Sequence, residues 1–359
     1  MAAEAVTEPP RPPGELFLAE VREQPAALRK LLELEGEFER ACRALSERAP
    51  AAVRLVGHGT SDAAATYGTY AFGLLPGWTA LRDTISLTVY YGATFDLSTS
   101  AVIALSQSGR TPDVVEYVAR TRERGALTLA LTNDPGSDLA QAAEITIPLS
   151  AGPERSVAAS KTYSNELAAL ALLAAGAARR SREMEDGIRA VADLLDDSMA
   201  SLERAVAAPA IAFTYVGRMY VIGRGLEFAT AREVALKLTE TCRVAAEPLT
   251  ATDLAHGPVA ALDSLFPVWT IASHDESLPA VIEGAERVRR AGATLVASGP
   301  AAAEIEGAAY MLPVPAPPLP ILSPLLSVVP GQLFAAALAS AKGLDPDHPE
   351  GLSKITLAR

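Results

Sequence analysis

The chain has 359 residues, 49% of them hydrophobic, and carries 43 acidic against 31 basic side chains for a formal net charge of −12. With no basic run, that balance argues against nucleic acid as a partner; the two cysteines, Cys42 and Cys242, lack a partner motif and read as reduced, mostly buried thiols rather than a disulfide scaffold. Four histidines, none at ligand spacing with another His or Cys, argue against a metal site, and the lack of a leader pattern or of an apolar run long enough for a bilayer (Leu167 to Ala178 is too short) points to a cytoplasmic protein without a membrane partner.

Residues 1–14 are acidic and proline-rich and are expected to be disordered. Over 15–48 the pattern is helical, with Leu16, Val21, Leu28, Leu31, Leu32 and Leu34 among charged residues. Strands and helices then alternate. Val56-Gly57-His58-Gly59-Thr60-Ser61 reads as a strand-to-helix turn, and Ala63, Ala64 and Ala65 allow close helix packing. The run Ala101-Val102-Ile103-Ala104 reads as a buried strand, and Pro112 opens a helix with apolar residues at helical spacing. Between them lies Leu105-Ser106-Gln107-Ser108-Gly109-Arg110-Thr111. Its hydroxyls, amide and free backbone N–H groups sit at the positive end of a helix dipole, which suits a phosphate monoester. The same residues also fit an ordinary Ser/Thr helix cap.

Two such turns at the carboxyl ends of neighbouring strands face one crevice, where open α/β sheets bind ligands. The order Gly-His-Gly-Thr-Ser is not Gly-x-Gly-x-x-Gly, and no ribose-binding acid follows about 20 residues on. A phosphorylated small molecule therefore fits better than a nicotinamide cofactor.

The second half echoes the first. Val56-Gly57-His58-Gly59 matches Ile222-Gly223-Arg224-Gly225, and Arg122-Glu123-Arg124-Gly125-Ala126 matches Arg289-Arg290-Ala291-Gly292-Ala293, at nearly one offset. The spacing predicts a duplicated α/β unit. Under that offset Ser106 falls on Ser273, Ser108 on Asp275 and Thr111 on Leu278. An aspartate where a phosphate oxygen would sit is repulsive, so the first unit is expected to hold the phosphate.

In the second unit Glu233, Lys237 and Glu240 lie on one helical face. They read either as a solvated ion-pair row or, if buried, as equipment for acid–base chemistry. Glu247-Pro248, Asp253 and His256-Gly257-Pro258 follow in what reads as a polar, turn-rich connection. His256 alone also fits a core or cap histidine. The tail carries Lys354 inside Leu352-Ser353-Lys354-Ile355-Thr356, an apolar-flanked setting.

These patches, with Leu18-Ala19-Glu20-Val21-Arg22-Glu23-Gln24-Pro25 and Ala151-Gly152-Pro153-Glu154-Arg155-Ser156-Val157-Ala158-Ala159-Ser160-Lys161, resemble the double SIS-domain phosphosugar isomerases. The resemblance is to the isomerase half of glucosamine-6-phosphate synthase and to stand-alone amino-sugar-phosphate deaminases and isomerases. It implies an α/β fold of two tandem SIS domains, each a parallel sheet flanked by helices in a flavodoxin-like three-layer arrangement, with an N-terminal helix and a C-terminal tail. The expected boundaries are 15–48 for the helical segment, 49–200 and 201–342 for the two SIS domains, and 343–359 for a tail that enters the site.

The resemblance also implies roles. Thr60, Ser61, Ser106, Gln107, Ser108 and Thr111 hold a sugar 6-phosphate. Glu240 shuttles a proton between C1 and C2, and Lys237 assists at the sugar oxygens. His256 opens the ring from the neighbouring subunit of a homodimer whose active site lies at the subunit interface. Lys354 handles the carbonyl, and Val157 and Ala158 line the sugar site through backbone groups. No cofactor is implied. No glutaminase domain precedes the isomerase half, which favours free ammonia, or the reverse deamination, over glutamine-driven synthesis. Thr239 stands where the synthase has a second lysine, Ala159 where it has a hydroxyl residue and Asp253 where it has a glutamate. Those departures bear on the substrate more than on the type of reaction.

Overall fold

Apolar runs without alternation mark strands that are covered on both faces. Ser100–Leu105 and Leu127–Thr132 are such runs, and every residue in them is buried. The structure, a computed structural model, describes residues 12–354. Most of the segment expected to be disordered, and Ile355 and Thr356 of the tail, lie outside the described residues.

The helical pattern over 15–48 resolves into three helices, α1 (Glu15–Arg22), α2 (Gln24–Leu31) and α3 (Glu35–Arg48). The first α/β unit runs β1 (Ala52–Val56), α4 (Thr60–Leu74), β2 (Ala80–Arg82), α5 (Ile85–Val89), β3 (Ser100–Leu105), α6 (Pro112–Glu123), β4 (Leu127–Thr132), α7 (Asp138–Ala142), β5 (Ile145–Pro148) and α8 (Lys161–Ala177). A single long helix, α9 (Ser181–Ala212), leads into the second unit. The boundary expected at 200/201 falls inside this helix. The second unit runs β6 (Arg218–Ile222), α10 (Glu227–Cys242), β7 (Ala245–Leu249), α11 (Ala251–Ala255), β8 (Pro267–Ile271), α12 (Leu278–Arg290), β9 (Thr294–Gly299), β10 (Tyr310–Pro313) and α13 (Ser323–Ala341).

Both sheets are parallel throughout. Their orders are β2-β1-β3-β4-β5 and β7-β6-β8-β9-β10, the same wiring twice. The duplication read from the sequence is therefore real in three dimensions. In each order the chain reverses direction between the first and third strands, which opens a crevice at their carboxyl ends. Glu247-Pro248 lies in β7 rather than in a loop. Because β7 is an edge strand, its proline breaks no ladder on the open side.

One core cluster runs through both units, from Leu55 and Ile103 to Trp269 and Leu326. Helix α13 is apolar on every face, which fits a helix enclosed by others. The stretch Pro320–Ala341 is the one described helix long and apolar enough to cross a membrane, and 94% of its apolar window is buried inside the fold. It holds α10 closely, since a Cβ on Gly331 would come within 2.3 Å of Val234.

The equivalent helices α4 and α10 meet across the unit boundary. Arg232 of α10 donates to Thr66 at 2.8 Å and to Asp62 at 2.5 Å, both on α4. The tail is held down as well. The buried Asp347 carboxylate accepts the backbone N–H groups of Gly14, Leu16 and Phe17 at 3.0, 3.1 and 2.7 Å. Helix α1 has no side-chain cap of its own, so the tail supplies one from the far end of the sequence.

Candidate active site

The turn between β3 and α6 folds around Gly109, whose φ of +62° is a left-handed conformation. A Cβ there would lie 2.0 Å from the Ser137 hydroxyl, so both the backbone and the space require glycine. The Ser106 hydroxyl accepts the Gly109 N–H at 3.1 Å and lies 3.4 Å from the Thr111 hydroxyl. Ser108 accepts the Arg110 N–H at 3.3 Å. Thr111 occupies the cap position of α6 but makes no side-chain capping bond. Thr111 is among the residues that line a cavity of about 560 Å³, with Ser106, Gln107 and Ser108 and with Thr60 and Ser61 from the start of α4. Two helix N-termini thus point at one space, the arrangement that favours an anion.

Helix α10 forms another wall. Lys237 Nζ lies 2.5 Å from Glu240 Oε2, 3.5 Å from Glu233 Oε1 and 3.2 Å from the Thr60 hydroxyl. Lys237 and Glu233 are buried, with side chains 1% and 0% exposed, so this is not a solvated ion-pair row. Burial pushes the Glu233 carboxyl up to about 8, with the Lys237 charge opposing and Glu240 adding. For Lys237 burial works against the charge, but Glu233 and Glu240 outweigh it and hold the group above its ordinary value. Lys237 therefore stays an ammonium in a dry wall. Glu240, more exposed than its neighbours, faces the cavity.

The tail closes the third side with Leu352, Ser353 and Lys354. Lys354 Nζ lies 3.0 Å from Oε2 of the buried Glu154. Glu154 also accepts from the backbone N–H groups of Ser160 and Thr162 and from the Thr162 hydroxyl, at 2.9, 3.1 and 2.7 Å. Burial opposes the charge, but Lys354 and these bonds prevail and hold the carboxyl below its ordinary value. Val157 and Ala159 line the cavity, whereas Ala158 is buried and is not among its lining residues.

His256 follows α11, is exposed and is not among the lining residues of its own chain's cavity. Asp253 makes a capping box with Thr250 at the start of α11. Thr239 turns its hydroxyl back onto the Ala235 carbonyl at 2.9 Å, away from the cavity.

In the second unit the turn equivalent to Ser106–Thr111 is filled from within. Asp275 accepts from the Ser277 N–H and hydroxyl at 2.8 and 2.6 Å. Buried Glu227 accepts from Ser273, Ser323, Ser327 and Thr230 at 2.5, 2.6, 2.9 and 2.6 Å. The hydroxyls of this turn are thus bonded to carboxylates of the chain itself.

Sequence reasoning gave no role to several cavity residues. His58 pairs with Asp113 at 2.8 Å beside the turn, and Tyr90 lines the same rim. Glu154 and Glu166, both buried, sit behind the site. Among the described residues no group of three or more His, Cys, Asp or Glu side chains comes together as a metal-holding cluster.

Two parallel α/β units of one wiring, with a hydroxyl-rich turn lining a cavity in the first, define a duplicated open-sheet α/β protein. The SIS domain family matches residues 51–176 and 213–339, and the chain belongs to that family. It is 34% identical over 350 residues to the isomerising glutamine–fructose-6-phosphate aminotransferase of Aeropyrum pernix, a match that covers 94% of this chain and 56% of that protein. The chain thus spans a little over half the length of the curated relatives it matches. Among solved structures, a candidate phosphosugar isomerase from Silicibacter pomeroyi is 31% identical with a TM-score of 0.81, covering 92% of this chain and 99% of that one. The C-terminal domain of the Francisella tularensis glucosamine-fructose-6-phosphate aminotransferase shares the fold at 24% identity and a TM-score of 0.85, over 97% and 100% of the two chains.

Proposed function

We propose that this chain is an amino-sugar-phosphate deaminase/isomerase that interconverts a hexosamine 6-phosphate of the glucosamine type and water with a fructose-6-phosphate-type ketose and free ammonia. The observation that carries the reading is the buried Lys237 clamped between Glu233 and Glu240, in the cavity that the Ser106–Thr111 turn also lines. Relatives whose names specify fructose 6-phosphate support the substrate class.

In this reading the phosphate rests on Ser61, Ser106, Gln107, Ser108, Thr111 and the two helix N-termini. Its binding energy, remote from the chemistry, holds C1 and C2 against α10. Glu240 takes the proton from C2 and returns it to C1 on the same face of the sugar, through an enolamine; solvent water then adds to the C2 imine so formed, supplies the ketose oxygen and releases ammonia. The Lys237 ammonium stabilises negative charge developing on the sugar oxygens. Lys354, on the tail, handles the carbonyl carbon once it parts from Glu154. The exposed position of His256 supports its service to a neighbouring copy, with ring opening completed across a dimer interface.

The experiment is incubation with a panel of hexosamine 6-phosphates, assayed for both ammonia and ketose phosphate. Equal release of the two is expected. Ketose phosphate without ammonia, from an aldose phosphate, would move the reading to a plain aldose–ketose isomerase.

A further inference from the structure

Behind the first turn of α4 lies a buried carboxyl that the mechanism above does not use. Glu166, on α8, is 1% exposed, and its Oε1 lies 2.7 Å from the Ser61 hydroxyl. Its other oxygen is buried with no partner among the described residues, as are Glu233 Oε2 and the Tyr163 hydroxyl. The groups that face Glu166 are poor company for a negative charge. From α4 comes Ser61; from α10 comes Glu233; from the loop before α8 comes Glu154; on α8 itself there is Tyr163. The cation on the α10 side, Lys237, is already taken by Glu240 and Glu233. Burial pushes Glu166 up to about 8, with the Ser61 bond opposing and Glu233 and Glu154 adding.

A serine hydroxyl has one proton. If Glu166 is a carboxylate, Ser61 must donate that proton to it and can only turn lone pairs toward the cavity. If Glu166 is a carboxylic acid, it can donate to the Ser61 oxygen, and the Ser61 proton is free to point at an anion. We propose that Glu166 is a positioning residue whose proton aims the Ser61 hydroxyl at the phosphate of the substrate, and that loss of that proton to solvent turns the hydroxyl away and weakens phosphate binding. The inference rests on the sugar-phosphate reading of the cavity. Protonation and phosphate binding support each other, since the phosphate dianion also repels a charge on Glu166. Affinity is therefore full below the Glu166 transition and falls as pH rises through it.

Sorbitol 6-phosphate is a suitable probe because it has no carbonyl and cannot react, and its phosphate is a dianion throughout the range of interest. Its affinity for the full chain is measured by calorimetry from pH 7 to pH 9. Wild type should weaken roughly tenfold across that range and should take up protons on binding near pH 9, seen as a dependence of the heat on the buffer. Glu166→Gln should have a much shallower profile and take up fewer protons, because the amide does not titrate and only the Glu233 contribution is left. A flat profile in wild type, or the wild-type slope in Glu166→Gln, overturns the inference. If Glu166→Gln does not fold, Ser61→Ala replaces it. That variant should bind more weakly at pH 7 and lose most of the slope, and a full wild-type slope in it overturns the inference. A purely structural Glu166 would shift stability and leave the slope unchanged. Absence of probe binding at every pH overturns the sugar-phosphate reading itself, and the inference with it.

Discussion

Lys237 Nζ and Glu240 Oε2 lie 2.5 Å apart on adjacent turns of α10, at the edge of the cavity that holds the phosphate turn. The pair is a charged hydrogen bond with one buried end and one end open to substrate. In the proposed mechanism Glu240 is the base and the Lys237 ammonium is the hydrogen-bond donor toward the sugar oxygens.

Glu240→Gln removes the basicity and keeps the shape. We expect kcat to fall by about 10²–10⁴, the usual worth of general acid–base catalysis, with sugar-phosphate affinity nearly intact. In D₂O wild type should wash deuterium into C1 or C2, and the variant should not. Turnover at the wild-type rate would remove Glu240 from the chemistry.

The phosphate turn is tested by Ser108→Ala combined with Thr111→Val. Hydrogen bonds to a charged acceptor are worth roughly 1.5–3 kcal/mol each, so KM should rise by about one to three orders of magnitude. Because Thr111 makes no capping bond, helix α6 should survive the change, and the melting temperature should move little. An unchanged KM would place the phosphate elsewhere.

His256 is exposed and outside its own cavity. If it completes a neighbour's site, mixing inactive His256→Ala subunits with inactive Glu240→Gln subunits should restore part of the activity in hybrids. Subunit exchange without recovery would mean that each site is built from one chain.

Asp347 should matter twice. Asp347→Ala leaves three N–H groups at the start of α1 without their acceptor, a loss of about 2–4 kcal/mol. It also frees the tail that carries Lys354, so activity should fall further than stability alone explains. Chemical denaturation and kcat on the same preparation separate the two effects.

Glu20 gives a pH prediction with a definite sign. Burial pushes its carboxyl from 4.5 up to about 7, with the Arg155 N–H opposing and Glu154 adding. The folded state binds this proton more tightly than the unfolded chain does. The associated stability is fully present below about pH 4.5 and is lost as pH rises toward 7, by about 3 kcal/mol at most. Glu20→Gln should remove that decline and be more stable than wild type at pH 8. A wild-type-like pH–stability curve for the variant would show that Glu20 is not the group responsible.

The sequence by itself determined the alternation of strands and helices and their duplication, while the order of strands in each sheet came from the tertiary structure. The apolar run Ala101-Val102-Ile103-Ala104 reads as a buried strand, and two glycine-bearing turns at nearly one offset read as a repeated unit. It also marked the turn Ser106–Thr111 and the row Glu233, Lys237, Glu240, because local chemistry and helical spacing are properties of the chain alone. It could not decide whether that row was a wet face or a dry wall, since burial depends on α4 and α13 arriving from distant sequence. The same holds for Asp347 reaching α1, for the closure of Lys354 on Glu154, and for Glu166 meeting Ser61. Each joins residues that no periodicity connects. Their energies come from the low dielectric and fixed geometry that only the folded packing creates.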